Sequence, residues 1–311
     1  MKTTNIPQSM TGSGSPIRLV TATGGYQEPL IVCTYGTPGS GKSRLAGTAP
    51  GTIGLIPTER KSRQTVLKTA EEFGRKVIMP EIDLIRTDNP MLLGQMPQSC
   101  IVIGDAQHKG WTAGQIQDEM QEMAHAIKID GPAPTCCQRH KFRHHVNRVK
   151  SVAFRMAAMD EIKTIVIDTF GALVEDFSYA NYGVTGLIDP KEFGFAPRED
   201  MNKEVREFLN NITVKNLVLT HHSADVWKDG KPTKLTKPMS MFSKIGHYVS
   251  VMLEQKRNDK VGLGEGRYVV EVKDCQANAS LIGLELLYDE NIRFDQLATA
   301  VYPDTELEYW Q

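Results

Sequence analysis

The sequence predicts an α/β protein with a mostly parallel central sheet, helices on both of its faces and an antiparallel C-terminal extension. Short apolar runs typical of buried strands alternate with amphipathic helical patterns over much of the chain. A glycine-rich segment stands between the first apolar run and the first helical pattern. Towards the C-terminus the helical patterns thin out and strand patterns follow one another closely, which favours antiparallel pairing there.

The elements follow in order along the chain. Strand patterns cover residues 30–35, 52–56, 101–103, 164–167, 216–220, 248–253, 268–272 and 284–288, and helical patterns cover residues 43–48, 62–73, 112–129, 147–159 and 198–212. Residues 1–28, rich in Thr, Ser and Gly, are expected to form a flexible or irregular leader, and residues 291–311 a tail that packs on the core. The segment 104–150 is longer than the core between 29 and 290 requires, which predicts an inserted helical lobe.

Composition limits the function classes. A chain of 311 residues with 40% hydrophobic and 23% charged residues can bury one large core or two modest ones. The net charge of −1 gives no overall attraction to nucleic acid or anionic lipid, so such a partner would have to contact a local patch. The five scattered cysteines form no disulfide pattern, and no segment resembles a signal peptide or membrane span. We therefore expect a cytoplasmic protein without a membrane partner.

The glycine-rich segment matches the phosphate-binding loop G-x-x-x-x-G-K-[ST] at every fixed position. The nucleotide contacts are expected from Gly36, Thr37, Pro38, Gly39, Ser40, Gly41, Lys42, Ser43 and Arg44. Glycines let successive backbone N–H groups converge on an anion, and the following helix contributes the positive end of its dipole. Lys42 is expected to neutralise the outer phosphates and Ser43 to bind Mg²⁺, so the sequence predicts ATP and Mg²⁺ as ligands.

Two carboxylates are candidates for the rest of the site. Asp168 ends the apolar strand pattern 164–167 and is the natural second holder of Mg²⁺. Thr169 follows Asp168, at the position where many enzymes with a phosphate-binding loop carry the base that activates water. Glu59, just after the strand pattern 52–56, is therefore our candidate for that base. The alternative is a surface glutamate beside Arg60 and Lys61.

A glutamate after the second strand and an aspartate on a later strand resemble the arrangement in the RecA-like ATPases. His221 and His222 follow the strand pattern 216–220, where that family carries a polar residue that contacts the γ-phosphate. Lys273 resembles the family's lysine that reaches a neighbouring subunit's ATP, although Cys275 stands where RecA has a second basic residue. The resemblance is nearest to phage-encoded members of the single-strand annealing type and covers residues 29–290. It implies a homo-oligomer, ring or filament, with ATP between subunits, and suggests a single-strand-binding or replication protein as a candidate partner.

In the RecA-like plan, the loop after His222 faces DNA. Its candidate contacts for single-stranded DNA are Trp227, Lys228, Lys231, Lys234 and Lys237, around a predicted Asp-Gly hairpin turn. An ordinary solvated turn has the same composition. A second candidate loop contains Tyr179, Tyr182, Phe193, Phe195 and Arg198, whose aromatic rings would either stack on bases or cover the end of the sheet.

A dense basic run, 139–150, has three interpretations. It extends a DNA path, it contributes His140 and His144 with Cys136 and Cys137 to a zinc site, or it is the solvated start of a helix. The cysteine and histidine spacing matches none of the usual zinc patterns.

Three functions remain open from the sequence. The first is an ATP-dependent DNA-handling protein that recombines or anneals single strands. The second is a nucleotide-gated assembly factor or loader that acts on a protein. The third is a small-molecule or nucleotide kinase. Kinases of that kind usually place an arginine-rich lid over the phosphates, and the dense basic run here precedes the Asp168 strand.

Overall fold

A computed structural model describes residues 29–81, 138–182, 196–239, 245–258, 267–288, 293–305 and 310. The leader 1–28, the strand pattern 101–103, the helical pattern 112–129 and most of the predicted insertion lie outside these residues.

The described strands are β1 (Leu30–Gly36), β2 (Thr52–Pro57), β3 (Val77–Ile78), β4 (Ile162–Asp168), β5 (Asn216–Lys228), β6 (Lys231–Pro238), β7 (Val251–Arg257), β8 (Tyr268–Cys275) and β9 (Glu285–Tyr288). The described helices are α1 (Lys42–Gly47), α2 (Arg60–Glu72), α3 (Gln138–Ala157), α4 (Phe170–Tyr182), α5 (Ala196–Asn210) and α6 (Phe294–Val301). Short 3₁₀ turns span Ile245–His247 and Ala279–Leu281.

The sheet has the strand order β3-β2-β4-β5-β1-β7-β8-β9. Strands β3 to β7 along this path pair in parallel, whereas β8 and β9 pair antiparallel. The predicted fold class, a mostly parallel sheet with an antiparallel C-terminal extension, is confirmed. Because β5 lies between β1 and β4, the strand that leads into the phosphate-binding loop and the strand that ends in Asp168 are next-nearest neighbours.

Two apolar layers cover the two faces of the sheet. Successive strand side chains point to opposite faces, so Ile165 and Ile167 pack under α3, α4 and α5, while Val166 packs with α1, α2 and α6. Both layers consist mainly of buried aliphatic and aromatic side chains. Parallel strands covered on both faces are expected to be apolar throughout, which is why these strands were recognisable in the sequence.

Helix α3 begins nine residues before the predicted helix 147–159, at Gln138. The basic run that obscured this start carries buried side chains, among them Phe142 and Val146. Two of its charges are compensated by α5, since Arg143 Nη1 lies 2.6 Å and Lys150 Nζ 3.2 Å from Glu204 Oε1. The run therefore packs against a neighbouring helix, and its residues Phe142, Val146 and Val149 belong to the apolar layer.

Strand β5 is longer than the predicted strand 216–220. It pairs with β1 as far as His222, then leaves the parallel sheet and forms an antiparallel hairpin with β6. The predicted Asp-Gly turn is confirmed: Asp229 and Gly230 have φ values of 52° and 74°, the left-handed conformation that this tight turn requires.

Candidate active site

The candidate residues converge at one edge of the sheet, because parallel strands present their carboxyl ends on the same side. The phosphate-binding loop leaves β1, Glu59 follows β2 and Asp168 ends β4. His222 lies beside the end of β1, where it is the register partner of Gly36. The fold thus brings together four segments that are far apart in the sequence.

The loop is folded as its glycines predict. Gly39 and Gly41 have φ values of 81° and 101°, which ordinary side chains rarely adopt. At Gly36, a Cβ atom would lie 2.1 Å from the Gln255 carbonyl oxygen of β7 and 2.6 Å from Ser40 Oγ. Only a glycine leaves room there for the loop to turn back against β7.

Lys42 lies across the hollow of the loop. Its ammonium group donates hydrogen bonds to the carbonyl oxygens of Gly36 and Thr37, at 2.8 and 2.9 Å. Burial lowers the pKa of Lys42, and the nearby carboxylates of Asp168 and Glu59 oppose that shift. A buried cation between backbone carbonyls and two carboxylates is well placed to bind the outer phosphates of a nucleotide.

Asp168 and Ser43 form the candidate Mg²⁺ site. The carboxylate of Asp168 is fully buried, and it accepts hydrogen bonds from the hydroxyls of Thr220 and Ser43. Burial raises the pKa of Asp168, while those two hydroxyls and Lys42 lower it. A carboxylate and a hydroxyl in contact, both oxygen donors, suit Mg²⁺, which completes its shell with water and phosphate. Elsewhere in the described part of the chain, no group of three or more His, Cys, Asp or Glu could hold a metal ion.

Glu59 contacts His222 rather than standing alone at the end of β2. Nε2 of His222 lies 3.0 Å from Oε1 and 3.3 Å from Oε2 of Glu59. The Thr169 hydroxyl also donates a hydrogen bond to Oε1 of Glu59, at 3.0 Å. The hydrogen bond from His222 is the main reason that the pKa of Glu59 is lowered, with Thr169 and Lys42 adding to it against the effect of burial.

Thr58 and Thr169 fasten β2 to β4 beneath this contact. The Thr169 amide donates to Thr58 Oγ1 at 2.6 Å, and the Thr58 amide donates to the Asp168 carbonyl at 2.8 Å. The Asp168–Thr169 peptide bond is cis. Sequence reasoning missed the role of Thr58, because its partner lies 111 residues away.

The two adjacent histidines point to opposite sides of β5. His222 faces Glu59, whereas His221 is fully buried against Phe170 in an edge-to-face contact with ring centroids 5.4 Å apart. His221 Nδ1 lies 3.3 Å from the Met239 carbonyl oxygen, so it is the protonated ring nitrogen of a neutral imidazole. Burial lowers the pKa of His221 to about 4.

Lys273 lies on β8 in a cluster of ion pairs with two glutamates. Its ammonium group is 2.9 Å from Glu254 Oε2 and 2.5 Å from Glu271 Oε1. Burial lowers the pKa of Lys273, but the hydrogen bonds that its ammonium group donates to both glutamates, with their negative charges, give a net rise. Glu254 is itself buried and also accepts a hydrogen bond from Thr236 of β6.

The β5–β6 hairpin carries the predicted lysines. Lys228, Lys231 and Lys237 are exposed, while the side chains of Trp227 and Lys234 lie outside the described residues. Two contacts tie the base of the hairpin to the site. The Met239 amide donates to the His222 carbonyl at 2.7 Å, and the Thr236 hydroxyl contacts Glu254 on β7.

A cavity of about 350 Å³ opens beside the loop, towards α2 and β8. Its lining consists of loop and α1 residues, four residues of α2 and one aromatic residue of β8: Gly39, Gly41, Lys42, Ser43, Arg44, Thr65, Lys68, Thr69, Glu72 and Tyr268. The guanidinium of Arg44 pairs with Glu72 across this cavity at 3.2 Å.

The other predicted clusters are only partly described. Tyr179 belongs to α4 and stacks on Phe142 of α3, with ring centroids 4.3 Å apart, so it packs between helices. Phe193, Phe195 and the side chain of Arg198 lie outside the described residues, as do Cys136 and Cys137 of the zinc interpretation. His140 and His144 are buried on α3. Among the described helices, none is both long and apolar enough to cross a membrane.

Comparison with known proteins adds little to this geometry. No protein-family model and no curated protein sequence matches the chain. Among solved structures, the chain is similar to the crystal structure of the RadB recombinase, with 13% sequence identity over 85% of this chain and 90% of that chain. The TM-score is 0.36, so the two backbones differ too much for residue roles to be transferred between them.

Proposed function

We propose that the protein is an ATP-hydrolysing, DNA-handling protein that binds single-stranded DNA for recombination or annealing. The observation that carries the ATPase part is the convergence of Lys42, the Ser43–Asp168 pair and Glu59 at one edge of the sheet. This set contains a cation for the outer phosphates, oxygen ligands for Mg²⁺ and a carboxylate to accept a proton. The resemblance to RecA-like ATPases rests on the same residues in the same order.

In the proposed reaction, the loop amides and Lys42 bind the β- and γ-phosphates. Ser43 and Asp168 would hold Mg²⁺, which would supply positive charge to neutralise the phosphates. Glu59 accepts a proton from a water molecule as the water oxygen bonds to the γ-phosphorus, and the bond to the bridging oxygen of ADP breaks. The products are ADP and inorganic phosphate. His222, beside Gly36, is the residue we propose to contact the γ-phosphate, since His221 points to the other face.

The charge of the hairpin supports the DNA part of the proposal. Lys228 and Lys231 are direct cross-strand partners, an arrangement in which two like charges repel. Lys237 adds a third exposed cation on the same hairpin. A nucleic acid backbone would relieve this repulsion and release counterions, which is a favourable source of binding free energy.

One observation favours the alternative of a loader that acts on a protein. Leu235, on β6 between the lysines, is 63% exposed. An exposed leucine in the second strand of a hairpin suits contact with another protein as well as with bases. Response to DNA decides between the two functions.

The test is ATP turnover measured with and without single-stranded DNA. We expect turnover that DNA stimulates, and turnover indifferent to DNA would favour the loader.

Lys42→Ala should weaken nucleotide binding at least about tenfold, since it removes the cation that neutralises the outer phosphates. Glu59→Gln should keep nucleotide binding and lower turnover by about 10²-fold or more, the usual contribution of a general base. Normal hydrolysis by Glu59→Gln would show that another group is the base.

A further inference from the structure

We propose that His222 is a positioning residue that restrains the base Glu59 until a γ-phosphate draws its imidazole away. This inference rests on the proposed ATPase function and concerns the regulation of that same site. It assigns the adjacent histidines different roles: His222 controls whether Glu59 can accept a proton from water, and His221 anchors β5 in the core.

We call the contact between the His222 imidazole and the Glu59 carboxylate the clamp. Nε2 of His222 lies within 3.3 Å of both carboxylate oxygens of Glu59. A carboxylate only accepts hydrogen bonds, so Nε2 is the donor. The Thr169 hydroxyl holds Oε1 from the β4 side. A water molecule that is to give its proton to Glu59 must compete with these donors for the same oxygens.

The clamp also makes Glu59 a weaker base. Hydrogen bonds donated to a carboxylate stabilise its charged form, and here they lower the pKa of Glu59. Removal of the His222 hydrogen bond would therefore raise the proton affinity of Glu59 as well as expose its oxygens. Both effects favour activation of water.

A γ-phosphate is a suitable competitor for the imidazole. His222 is the register partner of Gly36, at the first residue of the phosphate-binding loop, so its side chain lies at the level where the outer phosphates bind. Charged phosphate oxygens are strong hydrogen-bond acceptors. The backbone of His222 is fixed by β1 on one side and by the Met239 amide on the other. The exchange therefore requires rotation of the side chain only.

A double-mutant cycle tests the clamp through binding. Calorimetry with Mg²⁺ would give the dissociation constants of a non-hydrolysable ATP analogue and of ADP for the wild-type protein, Glu59→Ala, His222→Ala and the double variant. Glu59→Ala frees His222 for the γ-phosphate and removes a repulsive charge, so we expect about tenfold tighter binding of the analogue and little change for ADP. In the His222→Ala background, Glu59→Ala only removes the carboxylate charge. The increase in affinity for the analogue should therefore be at least about threefold smaller than in the wild-type background.

Two further variants distinguish loss of the His222–Glu59 contact from an unspecific effect of replacing a histidine. His222→Gln keeps a neutral N–H donor and should restore part of the coupling, whereas His247→Ala removes an exposed histidine of a 3₁₀ turn and should leave the full gain from Glu59→Ala. Melting curves establish that each variant is folded. An equal gain with and without His222, or the same gain for ADP as for the analogue, would overturn the clamp. Failure of the wild-type protein to bind the analogue at all would instead overturn the proposed ATPase.

Discussion

At the scale of single residues, β5 shows how one strand gives two identical side chains different properties. Neighbouring positions on a strand face opposite sides of the sheet. His222 therefore reaches the half-exposed edge near Glu59, and His221 enters the apolar layer against Phe170. A buried imidazole avoids the cost of desolvating a charge by staying neutral.

This neutrality makes stability depend on pH through His221. Its pKa is about 4 in the folded protein and about 6.5 in an unfolded chain. Between these values the unfolded chain binds a proton that the folded protein does not. The contribution is therefore fully present above pH 6.5 and is lost as the pH falls, by about 2 kcal/mol at pH 5.

The variant His221→Gln isolates this effect. Its amide can donate to the Met239 carbonyl but does not titrate. Urea unfolding at pH 7.5 and pH 5 should show that the wild-type protein loses about 2 kcal/mol more than the variant. Burial also lowers the pKa values of His140 and His144, but these contribute equally to both proteins and cancel in the difference. Equal losses would mean that the imidazole takes up a proton in the folded state.

The residues that were predictable from the sequence are those whose role is local. The phosphate-binding loop, its preceding strand and its following helix lie within a few residues of each other, so one pattern contained them. Contacts over long sequence distances were not predictable. Glu59 and His222 are 163 residues apart, and only the sheet order brings them together. The same reason explains α3, whose buried start was obscured by charges that Glu204 compensates from another helix.

At the scale of elements, the β5–β6 hairpin continues β5 beyond the parallel sheet and bears exposed lysines there. Its tip is set by the Asp229–Gly230 turn, and its base is fixed by contacts to the His222 backbone and to Glu254. A two-stranded ribbon is marginally stable alone, so these basal contacts are what hold it in place. A ligand bound to the hairpin lysines thus contacts the same strand, β5, that carries His222.

Neutralising the hairpin should change the salt dependence of DNA binding. With Lys228, Lys231, Lys234 and Lys237 all changed to Gln, the slope of log affinity against log salt should fall by up to about 3, at ~0.7 per lost phosphate contact. Filter binding of a single-stranded oligonucleotide at several salt concentrations measures the slope. As a matched control, Lys163 and Lys203 are exposed lysines outside the hairpin, and their change to Gln should leave the slope unaltered. A slope unaltered by the hairpin changes would exclude it as the DNA contact.

At the scale of the whole molecule, the site occupies an exposed edge of the sheet that a second copy of the chain could cover. The resemblance to RecA-like ATPases assigns Lys273 to a neighbour's ATP, whereas within this chain the lysine is held by Glu254 and Glu271. To reach a phosphate of another subunit it must exchange these carboxylates for the phosphate oxygens. The exchange is feasible because both acceptors are anionic and the lysine is partly exposed.

Mixing of two inactive variants distinguishes a shared site from a self-contained one. Lys42→Ala lacks the phosphate-binding cation, and Lys273→Ala lacks the lysine assigned to the neighbour. If ATP lies between subunits, about a quarter of the interfaces in an equal mixture combine an intact loop from one variant with an intact Lys273 from the other. ATP turnover should then rise to about a quarter of the wild-type value in the mixture, while each variant alone stays inactive. Equal inactivity of the mixture, with both variants folded and assembled, would show that Lys273 acts within its own chain, where it pairs with Glu254 on β7 and Glu271 on β8. Such a result would place the loop, the Mg²⁺ site, Glu59 and Lys273 in one self-contained site within one chain.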